Sequence, residues 1–334
     1  MPWLRNQLRF HTALQLLFAL ESGEDTLVGG QAVLEGVMMR SPHAWGIAVR
    51  KPAQENGEPG EVVVHSETLE KPSDKSPWKG WPFIRGLMTL GQAMVLGFKA
   101  LRYSANVALN EAPPDENGKK LEMSGWVAAL NIALSLGFFI FMYKFLPLAA
   151  ATGLKRYDAA LSNNILFNLV EGLIRIGLFL LFIWGTSKWA DIRRVYQYHG
   201  AEHKTVFAFE NHDPLRPATV QKYSTYHPRC GTSFLMTVML IAIFIYMLVP
   251  VQGFLAKFLV RIVLLPVIAS VSYEIIRFAA KHGKSFFALM TKPGLWLQHI
   301  TTQPPDDSMV ECAITALDEA MVLEKQNGGE LVIA

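Results

Sequence analysis

His199, Glu202 and His203 stand within one five-residue run of this chain, and His227 and Cys230 follow shortly after it. The run His199-Gly200-Ala201-Glu202-His203 fits H-x-x-E-H. In a helix, His199 and His203 lie one turn apart on the same face, with Glu202 beside them. Two imidazoles so placed can hold a transition metal, and His227 or Cys230 can complete the shell. Zn²⁺ or another divalent transition metal suits a mixed set of His, Cys and carboxylate ligands. Glu202 is then a further ligand or a general base. Asp191 and Glu210 are candidates to orient the imidazoles from behind. Arg229, with Arg193, offers an ion-pair partner for Glu202 if the cluster holds no metal.

The composition implies that a membrane domain positions these residues. Of 334 residues, 51% are hydrophobic and 18% charged, against about 25% charged in ordinary soluble domains. The apolar excess falls in blocks. Segments 125–148, 164–186, 233–249 and 254–278 read as spans, against the ~20 apolar residues a bilayer requires. The third is near the short limit, and Pro266 is expected to kink the last. Lys and Arg set the orientation. Segment 188–232 carries seven of them and the first 122 residues thirteen, whereas the links 149–163 and 250–253 carry two and none. Four spans then put both termini and the His cluster in the cytoplasm of a multi-pass cell-membrane protein.

The fold class expected is therefore a mostly α integral membrane protein with about four transmembrane helices, a small cytoplasmic β-rich unit and amphipathic helices. Residues 1–26 read as an amphipathic N-terminal segment lying on lipid. Residues 27–82 hold the β-rich unit and a linker, with strand-like runs at Val28, 32–39, 44–49 and 61–66 and a polar loop at 51–60. The unit is too short for a large core and is expected to pack on something else. Residues 83–123 read as an amphipathic or membrane-associated helix and a loop, 124–292 as the membrane domain, and 293–334 as a C-terminal cytoplasmic tail.

Charge inside a span is costly. Glu171 and Arg175, four apart on an apolar helix, can neutralise each other. The preferred reading is a pair that fixes helix packing, against a polar site within the bundle. Glu274, near the end of the last span, is a candidate to face the same site as His199. Gly29, Gly30 and Gly36 lack the Gly-Lys-Ser/Thr ending of a phosphate loop and serve backbone freedom instead. Glu35 and Arg40, in the same stretch, are candidates to contact the His cluster or a partner. Two cysteines, Cys230 and Cys312, far apart in sequence, are no disulfide framework. A net charge of +3 without a basic, aromatic-interleaved run argues against nucleic acid.

Three long motifs resemble the bacterial YqhQ-like membrane proteins. They are Gly29-Gly30-Gln31-Ala32-Val33-Leu34-Glu35-Gly36-Val37-Met38-Met39-Arg40, Tyr198-His199-Gly200-Ala201-Glu202-His203-Lys204 and His227-Pro228-Arg229-Cys230-Gly231-Thr232-Ser233-Phe234. The stretches 168–175 and 266–274 are similar as well. The resemblance implies a multi-span membrane protein described as a predicted metal-dependent enzyme, and it implies no particular reaction. The H-x-x-E-H run also resembles that of inverzincin metalloproteases, whose large soluble fold and distant Glu ligand have no counterpart here. Two readings of function follow. One is a membrane metalloprotein with a cytoplasmic-facing His/Glu/His/Cys site, possible substrate chemistry being metal-dependent hydrolysis. The other is a non-catalytic assembly factor or scaffold that docks a membrane-protein partner. A transporter, with one ionisable pair and no inverted repeat, has the least support. Membrane lipid is the one partner the composition implies, and the sequence sets no oligomeric state.

Overall fold

The computed structural model describes residues 28–52, 60–69, 77–110, 125–227, 230–281 and 292–326. The amphipathic segment expected at 1–26, the tip of the polar loop at 53–59, the linker residues 70–76, the loop at 111–124 and Arg229 lie outside them.

Val, Met and Ile alternating with small residues form a four-stranded antiparallel meander in chain order: β1 (Gly29–Val33), β2 (Gly36–Arg40), β3 (Ala44–Arg50) and β4 (Val62–Thr68). The run expected as one strand at 32–39 is two. The chain turns at Leu34-Glu35, so that Val33 pairs with Gly36, and Glu35 takes a left-handed φ of 54°. Gly36 closes the turn tightly, because a Cβ there would sit 2.2 Å from the Ala48 carbonyl oxygen.

Both faces of this small sheet are covered by helices from elsewhere in the chain. Met38, Trp45, Ile47 and Val49 pack on Leu96 and Ala100 of α1 (Ile84–Asn110). Val37, Met39 and Ala48 pack on the other side, against residues near both ends of the second half of the chain. Gly46 lets the last helix approach the strand closely, since a Cβ on it would lie 2.6 Å from the Ala316 carbonyl oxygen.

The chain is mostly helical. An apolar set of helices follows α1: α2 (Gly125–Ile140), a π-helical turn (Phe141–Phe145), α3 (Leu146–Leu154) and α4 (Asn164–Thr186). The Asn163 side chain caps α4 by accepting the Ile165 and Leu166 N–H groups at 2.8 and 3.2 Å. After α5 (Ala190–Glu210) come α6 (Gly231–Leu248), α7 (Phe254–Val263) and α8 (Leu265–Lys281). Two helices, Ala133–Leu154 and Asn164–Thr186, are long and apolar enough to cross a membrane. The pair α7 and α8, bent by 49°, makes a third if it is one span, and Phe234–Leu248 is a shorter apolar helix. The bend coincides with Pro266, the second residue of α8, which lacks the N–H a continuous helix would use.

Two further helices, α9 (Lys292–Thr301) and α10 (Asp307–Gln326), end the described chain. Met309, Ala313, Ala316 and Leu317 of α10, spaced by helical turns, are fully buried against β2, β3 and α5. Burial of each large apolar side chain in that stripe contributes about 1.5–3 kcal/mol. Leu297 of α9 packs with Phe179 of α4 and Met236 and Met239 of α6, which ties the sheet end of the molecule to the apolar helices.

Candidate functional site

Helix α5 runs from the end of the apolar helices across the edge of the sheet. It carries His199 and His203 on one face, their ring centroids 4.4 Å apart. Cys230 is the residue that precedes the first turn of α6, and it meets both rings there. One nitrogen of each imidazole and the Cys230 sulfur all lie within 4.8 Å of one another.

Each imidazole is oriented by a main-chain carbonyl. His199 Nδ1 is 2.8 Å from the Thr301 oxygen, and His203 Nδ1 is 2.5 Å from the Thr225 oxygen. A carbonyl only accepts, so both Nδ1 atoms carry the proton and both Nε2 atoms present a lone pair. His199 Nε2 lies 3.2 Å from Cys230 Sγ, whose sulfur also meets Thr232 Oγ1 at 3.1 Å. His203 Nε2 is buried beside the same sulfur, with no hydrogen-bond geometry to any described group. Burial lowers the His203 pKa, and the neighbouring Cys230 partly offsets this. The imidazole is thus kept in the neutral form a metal needs.

The surrounding parts hold the two carbonyls in place. A Cβ on Gly200 would lie 2.2 Å from the Gln303 oxygen, so this glycine lets the strap after α9 cross α5. The Gln303 N–H donates to the Tyr196 oxygen at 2.9 Å. Lys204 is buried and donates from Nζ to the Gln221 and Tyr223 oxygens at 2.6 and 2.8 Å, which fixes the loop that ends in Thr225. Burial lowers its pKa.

Glu202 is not one of the three grouped ligands. Its carboxyl is fully enclosed beside β1 and accepts the Gly30 N–H. A Cβ on Gly30 would be 3.0 Å from Glu202 Cγ and 2.5 Å from the Met38 oxygen. Gly30 therefore serves close approach to Glu202, a role that its place in the glycine-rich stretch did not reveal. Burial raises the Glu202 pKa, with His199 and His227 acting in the opposite direction.

The remaining residues singled out from the sequence fall into several environments. His227 stands behind His203, ring centroids 5.7 Å apart, with its Nε2 3.3 Å from Glu210 Oε2 and its backbone clamped by Gln298 through two bonds of 2.8 Å. Burial pushes its pKa down to about 4. Glu210 thus orients His227, but Asp191 is exposed in the first turn of α5 and orients no imidazole in the cluster. Glu35 grips α5 from the β1–β2 turn: Arg194 donates to it through Nε at 2.6 Å and Nη2 at 2.5 Å, and the Tyr198 hydroxyl lies 3.4 Å away. Arg40 donates to Gln92 of α1 at 3.3 Å. Glu274 accepts the Phe83 N–H at 3.1 Å and Arg85 Nε at 2.8 Å, so it joins α8 to α1 and does not face His199. Glu171 and Arg175 pair within α4, among the apolar helices.

Thr225, Thr301, Gln298, Lys204 and Gly200 escaped the sequence reading as parts of the site. Two of them act through backbone oxygens, which no residue type announces. Lys204 alone carried a signal, as a charge directly beside His203.

His199, His203 and Cys230 make a donor set of two nitrogens and one sulfur, with His199 only partly buried. Three protein ligands with an open side suit a four-coordinate ion that keeps a place for a small molecule.

Residues 81–323 match a family described as Protein of unknown function (DUF1385). The chain is 32% identical over 303 residues to the Uncharacterized protein YqhQ of Bacillus subtilis (strain 168), a match covering 89% of this chain and 92% of that protein. No solved structure matches it.

Proposed function

We propose a metal-centred function for this chain, which belongs to the DUF1385 family of proteins of unknown function. In this reading it is a membrane metalloprotein in which His199, His203 and Cys230 hold Zn²⁺ or another divalent transition metal. The reaction class is metal-dependent hydrolysis. One observation carries it: two imidazoles pinned through Nδ1 to backbone carbonyls turn their Nε2 lone pairs toward one thiol, and one of those nitrogens is buried without a partner. A buried acceptor left unmade costs about 1–3 kcal/mol, and a cation among these atoms would remove that cost. A bound ion would supply a Lewis acid there. Glu202 holds its proton to higher pH than an exposed carboxyl and is the acid–base candidate in this reading. His227, kept neutral and oriented by Glu210, lies beyond His203.

The membrane reading rests on apolar side chains left exposed on the outer faces of these helices, among them Leu134, Phe138, Leu173, Leu181, Phe244 and Leu259. With α2–α3, α4, α6 and the bent pair α7–α8 taken as spans, the Lys and Arg distribution favours a cytoplasmic site and cytoplasmic termini. Accessibility labelling of single cysteines should then find Lys155 outside the cell and Asp213 inside. The reverse pattern overturns this orientation.

A second reading, a non-catalytic scaffold docking a membrane protein, is favoured by the bond between Glu202 and Gly30, which gives the carboxyl a packing role. Metal analysis and complementation separate the two. Purified wild type should carry about one ion per chain, and His203→Ala should lose it. Glu202→Gln keeps the shape and the ion. If Glu202 moves a proton, activity falls by about 10²–10⁴, and the stable variant fails to complement a deletion strain. Metal-free wild type that is folded and functional removes the metal reading. Full complementation by metal-loaded Glu202→Gln favours the scaffold.

A further inference from the structure

The apolar helices enclose a second polar cluster, away from the His and Cys residues. Glu171 and Arg175 of α4 do pair, but they are not a neutral couple. Arg261 of α7 also reaches Glu171, its Nη2 lying 3.4 Å from Oε2, the oxygen that Arg175 Nη2 meets at 2.5 Å. Both guanidinium groups lie against one ring of α6, with Arg175 Cζ 5.2 Å and Arg261 Cζ 4.9 Å from the Tyr246 centroid. Lys144 donates to the Tyr246 hydroxyl at 3.3 Å, and that hydroxyl donates to the Arg261 carbonyl at 3.2 Å. Two guanidinium groups therefore share a single carboxylate, with Lys144 beside the same tyrosine. The sequence holds no other acidic residue between 159 and 190 or between 231 and 273 to balance them.

The hydrogen bonds are as uneven as the charge. Arg175 and Arg261 are each only 2% exposed. Arg175 Nε and Nη1 and Arg261 Nε have no acceptor among the described residues. Arg261 Nη2 finds one neutral acceptor, Asn168 Oδ1 at 2.7 Å. Guanidinium donors left bare in an apolar surrounding are costly, and an excess of buried like charge adds to the cost. An anion in the cluster would relieve both.

The backbone is irregular at the same place. Lys144 sits in the π-helical turn Phe141–Phe145, and such turns recur at functional sites. Arg261 sits in the last turn of α7, just before the 49° bend into α8. Broken helices inside an apolar bundle are tolerated where they line a polar site. Lys144, unlike the two arginines, is only partly buried.

We propose that Arg175, Arg261 and Lys144, set against Glu171 and Tyr246, form a binding site for an oxyanion of the phosphate class. Forked guanidinium donors match the tetrahedral oxygens of phosphate, and the Lys144 ammonium adds a point charge. A phospholipid headgroup and inorganic phosphate present the same chemistry. Phe141 and Phe145, exposed in the same π-helical turn as Lys144, favour the lipid. The site is independent of the metal reading and stands or falls separately from it.

Binding to the purified full-length protein in detergent micelles tests this. The probes are phosphatidylglycerol, inorganic phosphate and, as a phosphate-free control, diacylglycerol. Wild type should bind phosphatidylglycerol, seen by native mass spectrometry and as a rise in Tm, and should ignore diacylglycerol. Losing one charge-assisted bond corresponds to roughly 10- to 100-fold in affinity, and that loss is expected in Arg261→Gln. Lys144→Gln, at a partly exposed position, should fold normally and weaken binding in the same direction, so it decides the matter if Arg261→Gln does not fold. Saturation by inorganic phosphate with no response to the lipid keeps the site and assigns a soluble anion as its ligand. Wild type that binds neither phosphate probe, or folded Lys144→Gln with unchanged affinity, overturns the proposal.

Discussion

At the His199, His203 and Cys230 cluster each imidazole donates its Nδ1 N–H to a main-chain carbonyl, and what remains on the inside is lone pairs. At Arg175 and Arg261 the reverse holds: the acceptors are used up, and what remains is N–H donors and positive charge. One cluster is built on α4 and the other on α5, and both contain buried polar atoms without hydrogen-bond partners among the described residues. Their deficits have opposite sign. A count of unsatisfied atoms would treat them alike. The kind of atom left over, acceptor in one and donor in the other, is why a cation is proposed for the first and an anion for the second.

Removing the carboxylate should expose this difference most strongly. Glu171→Gln leaves Arg175 and Arg261 without their shared counter-charge, and breaking a buried pair costs about 3–5 kcal/mol. Unfolding of the purified variant in graded denaturant should show a loss of that size. A variant as stable as wild type would mean that the guanidinium groups are not uncompensated, and the contrast between the clusters would collapse.

The His side predicts an acid effect. The folded pKa of His227, about 4, lies below its unfolded value of about 6.5. The unfolded chain therefore binds the extra proton between these values, and the stability His227 contributes is full above about pH 6.5 and lost as pH falls toward 4. Glu202 shifts upward and works against this in the same window, so wild type should be measured against His227→Asn, where the Glu202 contribution largely cancels. The stability gap between them should shrink by about 3 kcal/mol from pH 7 to pH 4. A pH-independent gap would show that His227 is not held neutral by burial.

Gly200→Ala tests the orienting carbonyl. The added Cβ meets the Gln303 oxygen, a backbone atom that cannot rotate away. Overpacking of this kind costs roughly 1–3 kcal/mol. The strap that follows Thr301 must shift and displace the Thr301 oxygen from His199, and in the metal reading proposed above affinity should drop about 10- to 100-fold, as for loss of other groups that orient ligands. Titration of apo protein with zinc would measure it. Unchanged affinity would mean that the strap does not preset His199.

Local pattern made some of this legible. The H-x-x-E-H spacing puts two imidazoles on one helical face, and α5 is a helix with those rings 4.4 Å apart. The alternating runs near the N-terminus are strands, though the turn at Leu34-Glu35 was hidden because Leu and Glu are poor turn markers. What sequence could not show is long-range. Arg175 meets Glu171 at helical spacing, but Arg261 arrives from 90 residues away. Thr301 and Thr225 act through carbonyls that every residue possesses. Gly30 is small for the sake of Glu202, a neighbour only in space.

The smallest effect expected is the most direct check on how the imidazoles are oriented. Asp191 is, with Glu210, one of the two carboxylates that the sequence offers to steer a histidine, and in the fold it is an exposed residue in the first turn of α5. There its charge faces the positive end of the helix dipole, a contribution of about 0.3–1 kcal/mol that salt screens. Asp191→Asn should therefore lower stability by no more than that, with the difference fading at high ionic strength, and should leave metal content and zinc affinity unchanged. A loss of metal in this variant would place a carboxylate behind the cluster after all, and the backbone carbonyls of Thr225 and Thr301 would cease to account for the orientation of His199 and His203.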